Sequence, residues 1–85
     1  NMSDKSDTKK KAMIDALENS LGIVSVACKK TNISRQTHYR WCEEDAEYEK
    51  EAKGIIEATI DFVESKLFEN ISNNKEASIM FYLKS

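Results

Sequence analysis

From Ala46 to Ser72 the chain runs 27 residues with no proline and no alternating strand pattern, and its apolar residues recur at steps of three and four. Ala52, Ile56, Ile60, Val63, Leu67 and Ile71 form one stripe of a helix, and Tyr48, Ile55, Thr59 and Phe62 widen it on one side. At 1.5 Å per residue such a helix is about 40 Å long. That exceeds any core the rest of a small chain can set beside it, so its far end needs a closing helix or another copy of the chain. Gly54, inside the stripe, costs about 1 kcal/mol against alanine and marks a close packing point or a bend.

The remaining residues fit the same class. Among 85 residues there is no proline and there are two glycines, and no run of alternating β-branched residues supports a strand. The fold class is expected to be all-α. Residues 1–7 read as a disordered polar tail, with Asn1 ahead of Met2 a vector remnant. Asp7 or Thr8 can cap a first helix over 8–20, carrying Ala12, Met13, Ala16, Leu17 and Leu21, and Gly22 stops it. A short helix starts near Val24 or Ser25, with Ser25 as its cap, and ends at Thr31-Asn32, where asparagine tolerates a left-handed backbone. Ile33 is an apolar plug, and Ser34 caps a third helix over 35–42. Asp45 caps the long helix, Ser72-Asn73-Asn74 ends it, and residues 75–84 read as a short C-terminal helix with Ala77, Ile79, Met80, Phe81 and Leu83. The units are therefore 8–44, a compact helical domain, and 45–85, a helical assembly segment.

Charge divides at the same boundary. The formal net charge is -2, but residues 1–42 hold eight Lys/Arg against four acids, a balance of +4, while residues 43–85 hold five lysines against eleven acids, a balance of -6. Opposite signs on two halves imply two different surfaces. No apolar run approaches the roughly 20 residues of a membrane span, and no leader pattern opens the chain. With two cysteines, too few for a disulfide scaffold, a reducing cytoplasm is expected. A single histidine, no glycine-rich loop and no Ser/His/Asp set argue against an enzyme and against a cofactor. His38 and Cys42 lie four apart, but with Cys28 they make three ligands where a structural zinc site takes four, so no metal is expected.

Helix, short turn and capped helix is the arrangement of a helix-turn-helix, in which the second helix enters the major groove. Small Ala27 suits the crossing of the two helices, and Ile33, Trp41 and Cys42 can anchor the second helix to the core. Arg35, Gln36, Tyr39 and Arg40 are left on the opposite side as base-reading candidates, since arginine pairs with guanine and glutamine with adenine. Ser34 and Thr37 at the helix N-terminus suit phosphate oxygens, as do Lys29, Lys30 and the run Lys9, Lys10, Lys11.

The stretch Asn32-Ile33-Ser34-Arg35-Gln36-Thr37-His38-Tyr39-Arg40-Trp41, followed by Glu44-Asp45-Ala46-Glu47-Tyr48 and a long acidic helix, resembles the homeodomain-like DNA-binding domain of phage terminase small subunits. Phe81-Tyr82-Leu83-Lys84 resembles an aromatic and leucine segment of the same family. The position of His38 usually carries a valine or leucine there, which implies a histidine packed at the helix seam. The resemblance implies recognition of viral double-stranded DNA for packaging, homo-oligomerisation, a terminase large subunit as partner and a bacterial host cytoplasm. Ile56, Ile60, Val63, Leu67 and Ile71 are the oligomerisation candidates. Ser34 to Trp41 also looks like the recognition helix of helix-turn-helix transcriptional regulators and of transposase or recombinase domains. A helical protein–protein adaptor is the reading from another class.

Overall fold

The computed structural model describes residues 2–74, with side chains from residue 5 onward. Four helices and no strands make up the described residues: α1 (Met2–Asn19), α2 (Val24–Thr31), α3 (Arg35–Glu44) and α4 (Ala46–Ser72). The expected helix over residues 75–84 lies outside them.

α1 starts at Met2, so residues 2–7 belong to it rather than to a tail. No proline or glycine interrupts the helical run upstream of Thr8, and Asp7 therefore sits inside the helix instead of ahead of it. Its C-terminus is built by two residues in the left-handed region, Leu21 at φ 56° and Gly22 at φ 73°. The Gly22 N–H donates to the Leu17 carbonyl at 2.8 Å, satisfying an acceptor at the helix end. Glycine is needed here twice over. A Cβ on Gly22 would lie 3.2 Å from both Cα and Cγ1 of Ile56, so this turn packs directly onto α4.

α2 departs from expectation at its start. Ile23, not Ser25, occupies the N-cap, and no side chain caps the helix. The Ile23 N–H donates to the Ser20 carbonyl at 3.0 Å, which closes the turn early and leaves Ser25 already inside the first helical turn. The other end is as the residues dictate: Asn32 adopts φ 59°, ψ 32°, and its N–H donates to the Cys28 carbonyl.

α3 extends to Glu44 rather than 42, because Asp45 is the first residue to leave helical geometry, at φ -129°. Asp45 then caps α4, its Oδ1 accepting from the backbone N–H groups of Glu47 at 3.1 Å and Tyr48 at 3.2 Å. Its other oxygen accepts from Lys10 Nζ at 3.1 Å, and that ammonium stands 5.9 Å from the Trp41 ring centroid. One lysine thus ties α1 to the α3–α4 corner and covers the tryptophan.

Met13, Ile14, Ala16 and Leu17 of α1, Ala27 and Cys28 of α2, Trp41 of α3, and Tyr48 and Ala52 of α4 form the core. α4 contributes through its first three turns, with Ile55 packed against this core and Ile56 under Gly22. Beyond Thr59 its apolar side chains are about half exposed, among them Ile60, Val63, Leu67 and Phe68. The molecule accordingly measures 59 × 22 × 16 Å, a small body with a projecting helix. Among the described residues no helix is long and apolar enough to cross a membrane.

Candidate nucleic-acid interface

α3 is fixed to the body by one of its faces. Ser34 starts it: the Thr37 N–H donates to Ser34 Oγ at 3.1 Å, and the Ser34 hydroxyl donates to Thr37 Oγ1 at 2.8 Å. His38 and Trp41 are buried at 2% and 5% exposure, and Cys42 is half-buried beside them. At about 100° per residue, the helix that buries positions 38 and 41 must turn 35, 36, 39, 40 and 43 outward. Arg35, Gln36, Tyr39, Arg40 and Glu43 are all exposed. The four base-reading candidates therefore share one open surface, with the acidic Glu43 bounding it.

His38 occupies the seam between α3 and α4. Its Nδ1 shares a 2.6 Å hydrogen bond with Tyr48 Oη, its Nε2 lies 3.8 Å from Cys42 Sγ, and the Tyr39 and Tyr48 rings meet it edge-on. A neutral imidazole satisfies both contacts in either tautomer, one nitrogen donating and the other accepting. Burial pushes the His38 pKa below its ordinary value and pushes those of the Cys42 and Tyr48 side chains up. Among the described residues no group of three or more His, Cys, Asp and Glu side chains could hold a metal ion.

The His38 shift has a consequence for stability. An unfolded histidine takes up a proton near pH 6.5 while the buried one resists it, so the stabilisation is complete above that pH and is lost as pH falls toward the folded pKa. The loss runs at up to about 1.4 kcal/mol per pH unit. Asp45 acts in the same direction at lower pH, its carboxyl held below the usual range first of all by the hydrogen bond from Lys10. Urea midpoints measured from pH 7 to pH 5 should fall for the native chain and stay nearly flat for His38→Leu; equal slopes in the two proteins would refute this origin.

The phosphate candidates separate into three groups. Lys9 joins Ser34, Thr37 and Arg40 around a cleft of about 380 Å³ between α1 and α3, with Ser6 on its edge. Two cations from elements distant in sequence and two hydroxyls converge there, which is the chemistry of a phosphate seat. Arg40 thereby belongs as much to this cleft as to the outward face. Lys29 and Lys30 are exposed in the last turn of α2. Lys10 is engaged with Asp45, and Lys11 lines the opposite, α1–α4 crevice together with Asp7, Asp15 and Glu47.

The oligomerisation candidates also divide. Ile56 packs under Gly22 and Ile71 is half-buried, whereas Ile60, Val63 and Leu67 stand 50–55% exposed. Phe68, outside the stripe read from the sequence, is 54% exposed as well. No protein-family model, curated protein or solved structure matches the chain.

Proposed function

We propose that the chain is a non-catalytic DNA-binding protein whose α2, turn and α3 act as a helix-turn-helix, with α3 in the major groove of duplex DNA. One observation carries this reading: α3 buries His38 and Trp41 and presents Arg35, Gln36, Tyr39 and Arg40 together, beside a cleft that gathers Lys9, Ser34, Thr37 and Arg40. In this arrangement Arg35 and Gln36, near the N-terminus of the helix, reach base edges, and the cleft seats a backbone phosphate. The resemblance of Asn32 to Trp41 and of Glu44 to Tyr48 favours, within that class, a phage terminase small subunit. Its DNA is then the viral packaging site in a bacterial cytoplasm, and a terminase large subunit supplies the chemistry that this chain lacks.

The test is duplex binding followed by fluorescence anisotropy. Arg35→Ala should cost about 1 to 3 kcal/mol and relax sequence preference, as expected for a base-reading arginine. Arg40→Ala should weaken all duplexes alike. Unchanged affinity in both variants would sink the assignment of α3.

Assembly belongs to the exposed half of α4. A 27-residue helix with Ile60, Val63 and Leu67 uncovered gains stability by packing that stripe on the same stripe of another copy. Light scattering of the double variant Ile60→Asp, Leu67→Asp should give a lower mass than the native chain. The same mass for both would remove α4 from the assembly.

A further inference from the structure

Where α4 leaves the body, it diverges from α1 and opens a groove of about 830 Å³. Ile14 and the turn residue Leu21 form one wall, Ile55 and Phe62 the other. Leu21 is 65% exposed and Phe62 60%, so two large apolar side chains face water within reach of the core. Gly54 and Ala58, one helical turn apart, lie between them, and both are exposed. Packing among the described residues gives Gly54 no reason to be glycine, since a Cβ there would meet none of them within 4 Å. Small residues one turn apart do let the backbone of a second helix approach closely. The rim carries Glu18, Glu47 and Glu51 against one lysine, Lys50, among the described residues.

We propose that this groove docks an amphipathic helix with basic flanks, contributed by a partner protein. Its apolar edge would rest between Leu21 and Phe62, over Gly54 and Ala58, and its lysines or arginines would meet the three carboxylates. From Glu47 to Phe62 the α4 wall spans about 24 Å, room for roughly four turns of the guest. Charge decides against a two-fold pairing of copies through this groove, because such symmetry sets the same acidic rim against itself. The inference is independent of the DNA-binding reading, since the groove shares no lining residue with the Lys9–Arg40 cleft.

The probe is a labelled synthetic helix of leucine and lysine, about 14 residues long, compared with its leucine and glutamate counterpart in anisotropy titrations at low salt. The lysine helix should bind and the glutamate helix should not. Ala58→Arg, which blocks the floor at an exposed helical position that tolerates arginine, should weaken binding about tenfold, as should Glu18→Gln combined with Glu51→Gln. Phe68→Ala, outside the groove, should leave binding unchanged, and circular dichroism of each variant verifies the fold. Three results would overturn the proposal: Ala58→Arg binding as the native chain does, the two peptides binding equally, or a multimeric native mass that Ala58→Arg reduces, which would assign the groove to a second copy.

Discussion

Replacing Trp41 with alanine is expected to leave the chain at the edge of unfolding at 25 °C. Trp41 is 5% exposed, its ring meets the Tyr48 ring edge-on at 5.4 Å, and Lys10 lies over it. It is the largest side chain in a core assembled from all four helices, and the point where α1, α3 and the start of α4 are held together. Truncating a buried tryptophan costs about 3 to 5 kcal/mol. An 85-residue chain has about 4 to 13 kcal/mol in total, at 0.05 to 0.15 per residue. The loss is a large share of that sum wherever the true value falls, and the Lys10–Asp45 pair loses the surface it lies on as well. Helix content followed by circular dichroism through a urea titration checks this, since the variant has no tryptophan to report on itself. A surface control, Lys29→Ala, should stay within about 0.5 kcal/mol of the native chain. If Trp41→Ala unfolds at the same urea concentration as the control, the tryptophan does not hold the body together. Duplex binding should disappear along with the fold, because of the α3 side chains that meet the body only the smaller His38 and Cys42 would remain.

What could be read from residues alone follows the range of the forces involved. Ser34 and Asp45 cap their helices, Asn32 turns left-handed and α4 spans 46–72, because each is decided within four residues by local hydrogen bonding. Ser25 resembles a cap equally well in sequence, yet the paired left-handed residues Leu21 and Gly22 bring the chain into α2 two residues earlier, with Ile23 at the N-cap. The absence of a breaker before Thr8 is a weak local signal, and α1 runs on to Met2. Contacts between distant residues carried no sequence signature. Lys10 and Asp45 are 35 positions apart, so a triple-lysine run that suggests three phosphate contacts gives up its middle member to the fold. The His38–Tyr48 bond crosses the α3–α4 corner and appears only once the corner exists. Arg35, Gln36, Tyr39 and Arg40 were legible as one surface because helical periodicity and the burial of Trp41 suffice to place them. The Lys9 side of the phosphate cleft was not, since it depends on how α1 crosses α3. Gly54 was visible as an anomaly in the helix, and its place in a groove required α1 beside it.

Duplex affinity should fall about 150-fold between 50 and 200 mM salt, even though the chain as a whole carries a net charge of -2. The estimate comes from placement rather than from composition. Four cations stand where phosphates of a duplex lying along α3 could meet them: Lys9 and Arg40 at the cleft, and Lys29 and Lys30 at the end of α2, with Arg35 turned to base edges. Each neutralised phosphate contributes about -0.9 to the slope of log affinity against log salt, giving about -3.6 for four. Lys10 and Lys11 are left out of the sum, one because it is bound to Asp45 and the other because it lies among carboxylates on the far side of α1. That omission makes the prediction sharper than a count of basic residues. Lys9→Ala and Arg40→Ala should each reduce the slope by about one, while Lys11→Ala should leave it unchanged. Composition alone would treat the lysines of the run as equivalent, so unequal slopes for Lys9 and Lys11 would speak for the cleft itself. A slope near zero would remove nucleic acid as the partner. A steep slope indifferent to Lys9 and Arg40 would keep the nucleic acid and move it to another face. The -6 half does not cancel the effect, because at 0.15 M salt charges interact over only about 8 Å, and its acids lie mostly along the projecting helix. Those acids would instead repel the duplex from α4 and hold it to the one face where cations converge.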